Sequence, residues 1–502
     1  MLPGGLPAVE PFRPASRLTP IKKAGAPANE NSAMIPSAET ATAVAPTFDA
    51  DLIRRYDGAG PRYTSYPTAD RFHDRFGAGD YVDALAERNA ERAGDPLSLY
   101  VHIPFCDTIC YYCACNKVIT RDRTRAERYL TALFREIDRV ASLIQGPREV
   151  VQLHWGGGTP TYLSDAQLTA LMGKLREHFV IAPEAEVSIE VDPRKADAAT
   201  IARLAALGFN RLSVGIQDFD ADVQRAVNRI QSEEQTRTVI DAARAHGFVS
   251  VNADLIYGLP LQTLAGFGAT LDKVIAAGPD RIALYSYAHV PHLVKPQRSI
   301  DIATLPTAAT KLAILSLAID RLCGAGYVYI GMDHFARPGD ELARAQAAGT
   351  LHRNFQGYTT RPECDLVAFG ASAIGRIGRV YAQNAKTLDA YYERVDADIV
   401  PIARGYRLDD DDILRRDVIA RLMCDFALDF AAVERTYGVD FRQRFAPELD
   451  AMATLAADGL VDVDGTGIRV TPRGRLLVRT VAMAFDRHLR EASLAGRYSR
   501  VI

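Results

Sequence analysis

The sequence predicts an α/β protein built on a parallel sheet, and three observations carry that prediction. Six short, β-branched apolar runs recur from about residue 95 onward. Stretches with apolar residues three and four apart lie between them. The composition, 48% apolar and 24% charged over 502 residues, is that of a globular chain able to bury a large core without disulfides or a structural metal.

The strand candidates are LSLYVHI (97–103), EVVQLHW (149–155), EVSIEV (186–191), RLSVGI (211–216), VSVNADLI (249–256) and RIALYSY (281–287). They read as largely apolar on both faces, as buried parallel strands do. Helical segments between them include ERYLTALFREIDRVASLI, AQLTALMGKLREHF and ATIARLAALGF, the last closing on Gly208 as a C-cap signal. Six βα units in series call for a parallel sheet, either doubly wound or curled toward a barrel. Either way, ligands belong at the carboxyl ends of the strands.

The flanks have a different texture. Residues 1–47 read as a disordered Pro/Ala-rich extension, since 8 of the 26 prolines fall in the first 50 positions among small residues. That segment has no basic stretch leading into an apolar core, so it does not read as a secretory signal. From about residue 400, helical patterns near 417–426, 431–437 and 446–458 lead into GLVDVDGTGIRVTPRGRLLVR, a helix–strand–turn–strand–helix order resembling a winged-helix module. Arginines make this end basic, but 62 acids against 59 Lys and Arg give no electrostatic case for nucleic acid or an anionic membrane. A structural lid or dimerisation role is the expectation. No apolar run reaches the length of a membrane span.

Seven cysteines are few for the length, yet four fall together in YVHIPFCDTICYYCACNK, as Cys106, Cys110, Cys113 and Cys115. Sparse, irregular cysteines favour a reducing compartment, and the cytoplasm is the expected location. A structural zinc site would draw on a second, distant pair, but Cys323, Cys364 and Cys424 stand alone. A thioredoxin-type pair, Cys110 and Cys113, leaves Cys106 without a role. Simple core packing does not account for such density in a loop after a strand. An iron–sulfur cluster held by three thiolates suits one compact loop, and it leaves one iron open to bind a small molecule.

The C-x3-C-x2-C spacing after a strand, with an aromatic before the third cysteine, resembles the radical S-adenosylmethionine (SAM) superfamily. The likeness narrows further through GPRYTSYPT (60–68), CACNK, LHWGGGTPTYL, SIEVDPR, GFNRLSVGIQDF, VNRIQ, DLIYGLP, YAHVP, GMDHFARP, HRNFQGYTT and the terminal YSRVI. Over about residues 48–502 the chain resembles the oxygen-independent coproporphyrinogen III oxidases, also called coproporphyrinogen III dehydrogenases. That resemblance implies a partial (βα)6 TIM-type barrel of the radical SAM type, capped by a mostly helical, winged-helix-like C-terminal domain. The implied layout is an arm over the active site at 48–94, a barrel at 95–395 and a helical domain at 396–502. It also implies conversion of the ring A and B propionates of coproporphyrinogen III to vinyl groups, giving protoporphyrinogen IX for haem synthesis.

By the same resemblance, Cys106, Cys110 and Cys113 ligate a [4Fe-4S] cluster whose open iron chelates SAM, and two SAM molecules share the site. Tyr100, Gly157, Gly158, Thr159, Glu190 and Ile374 match contacts to the first SAM. Gln217, Arg229, Asp254 and Ala288 match contacts to the second, and Tyr112 is the aromatic within the cysteine motif. At Gly157 and Gly158 the missing Cβ would let backbone approach the ligand. Cys115 and His102 are the candidate catalytic groups, the former near the substrate and the latter near the cluster. Arg62, in the arm, is available for a substrate propionate by charge complementarity. Tyr112 and Ala114 stand where phenylalanine and glycine are common, and neither change disturbs the cluster ligands.

Electrons are expected from a flavodoxin- or ferredoxin-like reductant, and the protein is expected to be a monomer with no nucleic-acid or membrane partner. The rival reading is a haem chaperone sharing the barrel and the three-cysteine loop. Such relatives lack the fourth cysteine of C-x-C-N and the GPRYTSYPT arm, both present here.

Overall fold

The computed structural model describes residues 45–361 and 364–490, so the expected extension up to residue 44 and the YSRVI terminus lie outside the described residues. Six parallel strands form the centre of a 12-stranded sheet: β1 (Leu97–Ile103), β2 (Glu149–Gly157), β3 (Val180–Val191), β4 (Arg211–Gln217), β5 (Ser250–Tyr257) and β6 (Arg281–Ser286). Further along come β7 (Val328–Gly331), β8 (His334–Ala336), β9 (Asp365–Phe369), β10 (Ile374–Ile377), β11 (Val380–Asn384) and β12 (Ile402–Arg407). The sheet order is β12-β11-β10-β9-β1-β2-β3-β4-β5-β6-β8-β7. β9 joins β1 in parallel, while β8 and β10–β12 run antiparallel to their neighbours. The edge strands β12 and β7 do not pair with each other, so the curled sheet remains an open, partial barrel.

The strands are not apolar on both faces. In β4 and β5 buried and half-buried residues alternate. The outward set (Leu212, Val214, Val251, Ala253, Leu255) packs under the crossover helices in one core. The inward set is polar: Ser98, Gln152, Ser188, Ser213 and Asn252. A parallel sheet covered by helices on one face needs a dry surface only there, and its concave face is free to line cavities. The crossover helices start where side chains cap them: Ser164 with Gln167 and Ser232 with Gln235 form reciprocal capping boxes.

The same core includes Leu52 in the N-terminal arm and Phe485 near the C-terminus. The arm carries α1 (Ala50–Tyr56) and α2 (Ala78–Arg92). The C-terminal part has helices at Asp410–Asp425, Phe430–Tyr437 and Ala446–Ala457 and a three-stranded sheet of Ala427–Asp429, Gly467–Val470 and Val461–Val463. Three of its arginines are engaged within the protein. Arg473 pairs with Asp49, Arg487 with Asp409 and Asp411, and the buried Arg479 donates to Pro61 O. No helix among the described residues is long and apolar enough to cross a membrane.

One buried carboxyl ties a crossover helix to the far side of the sheet. Glu136, on α3 (Thr124–Leu143), accepts from the Tyr391 hydroxyl at 2.5 Å, Asn384 Nδ2 at 2.6 Å and Gly370 N at 2.8 Å. Burial pushes its pKa from 4.5 to about 7 against those three donors. Between these values the unfolded chain releases the proton while the folded one keeps it, so this group's contribution to stability falls as pH rises from about 4.5 to 7. Glu136→Ala strands three buried donors and should cost about 3 kcal/mol or more. Urea unfolding of wild type and variant across that pH range should show both the loss and the disappearance of this pH-dependent component.

Candidate active site

The cysteine loop leaves the carboxyl end of β1 and closes on itself. Phe105 and Cys106 pair with Val118 and Ile119, pinning both ends of the finger between them. Its tip is held from the β4 side, where Tyr111 N donates to Val227 O at 3.0 Å and Asn228 Nδ2 to Ile109 O at 2.7 Å. Lys117 Nζ turns back onto the Cys113 carbonyl at 2.7 Å. The result is that the Cys106, Cys110 and Cys113 thiols all border one cavity of about 350 Å³.

Three glycines set the distance between this loop and the barrel. A Cβ on Gly156 would sit 2.9 Å from the Glu190 carboxyl carbon, and one on Gly157, at φ +118°, 2.6 Å from the His102 ring. On Gly158 it would meet the Pro104 and Phe105 backbone at 2.7 Å. The space left by the missing side chains is filled by the protein itself, while Gly157 and Gly158 border the cavity. It lets β2 pass close under Glu190, His102 and the start of the cysteine loop together.

The electrostatics follow from this packing. Burial raises the Glu190 pKa, but His154 Nε2 at 3.5 Å and the Gly157 N–H at 3.1 Å outweigh it, and the net shift is downward. Asp254 is the opposite case: burial first, then the charge of Glu190, push it to about 7 against hydrogen bonds from Ser213 (2.9 Å) and Asn252 (2.8 Å). Arg229 Nη1 and Arg194 Nη2 each lie 3.6 Å from Cys110 Sγ, and both guanidiniums pair with Asp192. Thr159 Oγ1 is 3.5 Å from Cys106 Sγ, whose own pKa burial raises to about 11. A hydrogen bond from Cys115 lowers Cys113, and the same bond raises Cys115.

An iron–sulfur cluster and a polar cofactor fit this donor set. Three thiols from one loop with N–H donors aimed at a sulfur are the ligand chemistry of such a cluster. Two buried polar atoms on the same cavity, Gln217 Oε1 and Arg229 Nε, have no hydrogen-bond partner, as expected of groups awaiting a polar ligand.

Twelve of the sequence-derived site residues line this cavity: Cys106, Cys110, Tyr112, Cys113, Cys115, Gly157, Gly158, Thr159, Glu190, Gln217, Arg229 and Asp254. Four do not. Tyr100 and His102 sit one layer deeper, with the Tyr100 hydroxyl 3.0 Å from His102 Nδ1 and the Tyr100 ring stacked on His154 at 5.9 Å. His102 Nε2 is 3.0 Å from Asn116 O, which can only accept, so this nitrogen carries the proton and Nδ1 accepts from Tyr100. Burial lowers the His102 pKa, leaving a neutral ring that ties β1 to the cysteine loop. Ala288 lines a neighbouring cavity, its carbonyl taken by Gln297 at 3.0 Å, and Ile374 packs beside Phe72, Tyr381 and Leu408. Sequence reasoning missed Asp192 and Arg194, although VDPR directly after β3, at a strand's carboxyl end, was a usable signal. It also missed Gly156, the first glycine of the WGGGTP run, and Tyr285, which no motif sets apart.

Comparison with known proteins places this geometry in a family. Residues 100–274 match the Radical SAM superfamily, and residues 408–477 match the HemN C-terminal domain. The chain is 52% identical over 457 residues to the oxygen-independent coproporphyrinogen III oxidase of Pseudomonas aeruginosa, covering 91% of this chain and 99% of that one. It is likewise 52% identical over 455 residues to the Escherichia coli K12 protein of that name, covering 91% and 98%. The solved structure of coproporphyrinogen III oxidase (HemN) from Escherichia coli, described as a radical SAM enzyme, superposes with a TM-score of 0.84 at 50% identity, over 88% of this chain and 99% of that one. The chain belongs to the oxygen-independent coproporphyrinogen III oxidase family of radical SAM enzymes.

Proposed function

We infer that this enzyme oxidatively decarboxylates the ring A and B propionates of coproporphyrinogen III to vinyl groups, yielding protoporphyrinogen IX without oxygen. The observation that carries the reading is the convergence of three thiols and two unpartnered buried polar atoms on one cavity at the carboxyl ends of parallel strands. Cys106, Cys110 and Cys113 would hold the [4Fe-4S] cluster. When bound, the cluster and SAM supply one-electron chemistry that generates a carbon radical strong enough to take hydrogen from a propionate β-carbon.

The chain's own residues position and shield. Arg194 and Arg229 direct N–H groups at Cys110 Sγ, and Thr159 lies against Cys106. Glu190, held anionic by His154 and Gly157, suits a cationic amino group or ribose hydroxyl of one SAM. Gln217, Arg229 and Asp254 suit the carboxylate, amino and hydroxyl groups of a second. His102 acts as a positioning residue through Asn116, and Cys115 is the thiol beside the ligand cysteines that remains for substrate chemistry. The protein would work as a monomer in the cytoplasm, taking electrons from a flavodoxin- or ferredoxin-like reductant.

Anaerobic incubation of the reconstituted protein with coproporphyrinogen III, SAM and a reductant should give protoporphyrinogen IX. Stoichiometric haem uptake without decarboxylation would overturn the reading. Serine at Cys106, Cys110 or Cys113 should abolish both turnover and the iron–sulfur absorbance.

Asp254 gives a pH signature. Its carboxyl is mostly neutral below about 7 and anionic above it, and the anion attracts the positive charge of SAM. SAM affinity, read by equilibrium dialysis against the reconstituted protein, should therefore rise as pH passes through 7. In Asp254→Asn that rise should be absent and the affinity low throughout.

A further inference from the structure

On the open side of the barrel, three aromatic rings form a row with a guanidinium at each end. Arg62 Cζ, from the arm, lies 5.8 Å from the Tyr285 ring centroid. Tyr285 meets His334 edge-on at 6.0 Å, and His334 meets Tyr358 edge-on at 5.3 Å. Arg353 Cζ closes the row 4.6 Å over Tyr358. Tyr285 also borders the cysteine cavity, while Arg353 lines a second cavity of about 430 Å³ and Arg62 a third of about 300 Å³. The row thus links residues that border three different cavities.

Guanidiniums gather here. Arg62 pairs with Asp333, but Nε and Nη1 of Arg353 are buried with no hydrogen-bond partner. A third guanidinium, Arg479, donates to the neutral carbonyls of Gly60 and Pro61. Burial, and then these cations acting on one another, lower the pKa of both Arg62 and Arg479. Burial and the charges of Arg353, Arg62 and Arg281 hold His334 neutral. Arg281 is itself committed to Asp340 and Glu341. Asp57 bears on Arg479, and Glu190 and Asp254 bear on Tyr285. Guanidiniums crowded in a low-dielectric wall with an unmet donor fork are a site built for carboxylate.

We propose that Arg62 and Arg353 bind the two propionates that the reaction leaves on the porphyrinogen, with the Tyr285–His334–Tyr358 row as the apolar wall between them. This rests on the substrate reading above and deepens it. The retained pair is the better match on chemical grounds. A reacting carboxylate must leave as neutral CO2, and a guanidinium gripping it would stabilise the starting anion and oppose the step. Arginines suit the spectator groups, and holding those on the open side turns the reacting edge toward the cysteine cavity.

The test uses two stable porphyrins with the reconstituted enzyme, read by fluorescence quenching. Coproporphyrin III carries all four propionates, and mesoporphyrin IX only the two that the reaction retains. Arg353→Gln and Arg62→Gln should each weaken both porphyrins by a similar factor, roughly ten- to a hundredfold, with Arg353→Lys recovering part of the loss. KM for coproporphyrinogen III should rise by a comparable factor. Weakening confined to coproporphyrin III would assign the arginines to the reacting propionates and overturn the proposal, as would changes within twofold for both porphyrins. Wild-type protein that binds both porphyrins but forms no protoporphyrinogen would sink the decarboxylation reading while leaving the dicarboxylate site in place. Should Arg353→Gln fail to fold, Arg62→Gln and Arg353→Lys decide the question.

Discussion

The close passage of β2 beneath its neighbours governs the geometry of the site. At Gly156, Gly157 and Gly158 the backbone comes nearer to Glu190, to the His102 ring and to the Pro104–Phe105 peptide than any Cβ would permit. Each contact fixes a different part: Glu190 on β3, the ring that anchors the cysteine loop through Asn116, and the root of that loop itself. An alanine at any of the three would push apart groups that must converge on one cavity. The tripeptide therefore works as a spacer between loop and barrel, and two of its glycines also border the cavity.

The second organising fact is the division between the two faces of the sheet. Outward side chains of β1–β6 pack under the crossover helices, and Trp155 meets Phe209 there at 5.0 Å. Inward side chains are short and polar or ionisable, so the concave side can hold charge without unpaired burial across most of its depth. Ser98, Gln152, Glu186 and Thr359 bond one another in the lowest layer, and Tyr100, His102 and His154 form the next. At the carboxyl ends, Gln217 Oε1 and Arg229 Nε lack partners. Ordered polar layers below and unsatisfied groups above are what a preorganised ligand site requires.

Much of this was legible in the sequence. LSLYVHI gave β1 with its observed bounds, and four of the other five strands were found to within two residues, because β-branched runs between amphipathic helices carry a strong local signal, while β3 begins six residues before the expected EVSIEV. The cysteine loop was legible for the same reason, its ligand types and spacing being contiguous. The polar inner face was present as alternation in RLSVGIQ and VNADLI but was read as largely apolar. What could not be read were contacts between distant segments. Arg353 and Arg62 are 291 positions apart in sequence, and their convergence on one aromatic row depends on how a short hairpin, His352–Asn354 with Gly357–Thr359, and the arm are placed in space. Ala288 and Ile374 show the converse limit, since a motif match names a position without saying which cavity its side chain or carbonyl meets.

The C-terminal helices reach the site through the arm. Thr47 N donates to Pro472 O, Tyr56 bonds Asp458, Tyr63 bonds Asp486, and Arg479 holds the Gly60 and Pro61 carbonyls. Pro61 directly precedes Arg62, so the guanidinium facing Tyr285 is set in place by a residue more than 400 positions further along the chain. Among the described residues, three of the arginines that make this end basic are engaged within the protein. Arg473 and Arg479 both grip the arm, and Arg487 staples the C-terminal segment to the acidic start of helix Asp410–Asp425. A domain that binds the arm along its length, while contributing Arg479 to the cavity that Arg62 lines, would act on recognition of substrate through the arm under the proposed dicarboxylate site. That arrangement separates the two demands on the enzyme. The barrel supplies a fixed cofactor site, and the arm with its C-terminal support supplies the cationic wall that an acidic macrocycle needs.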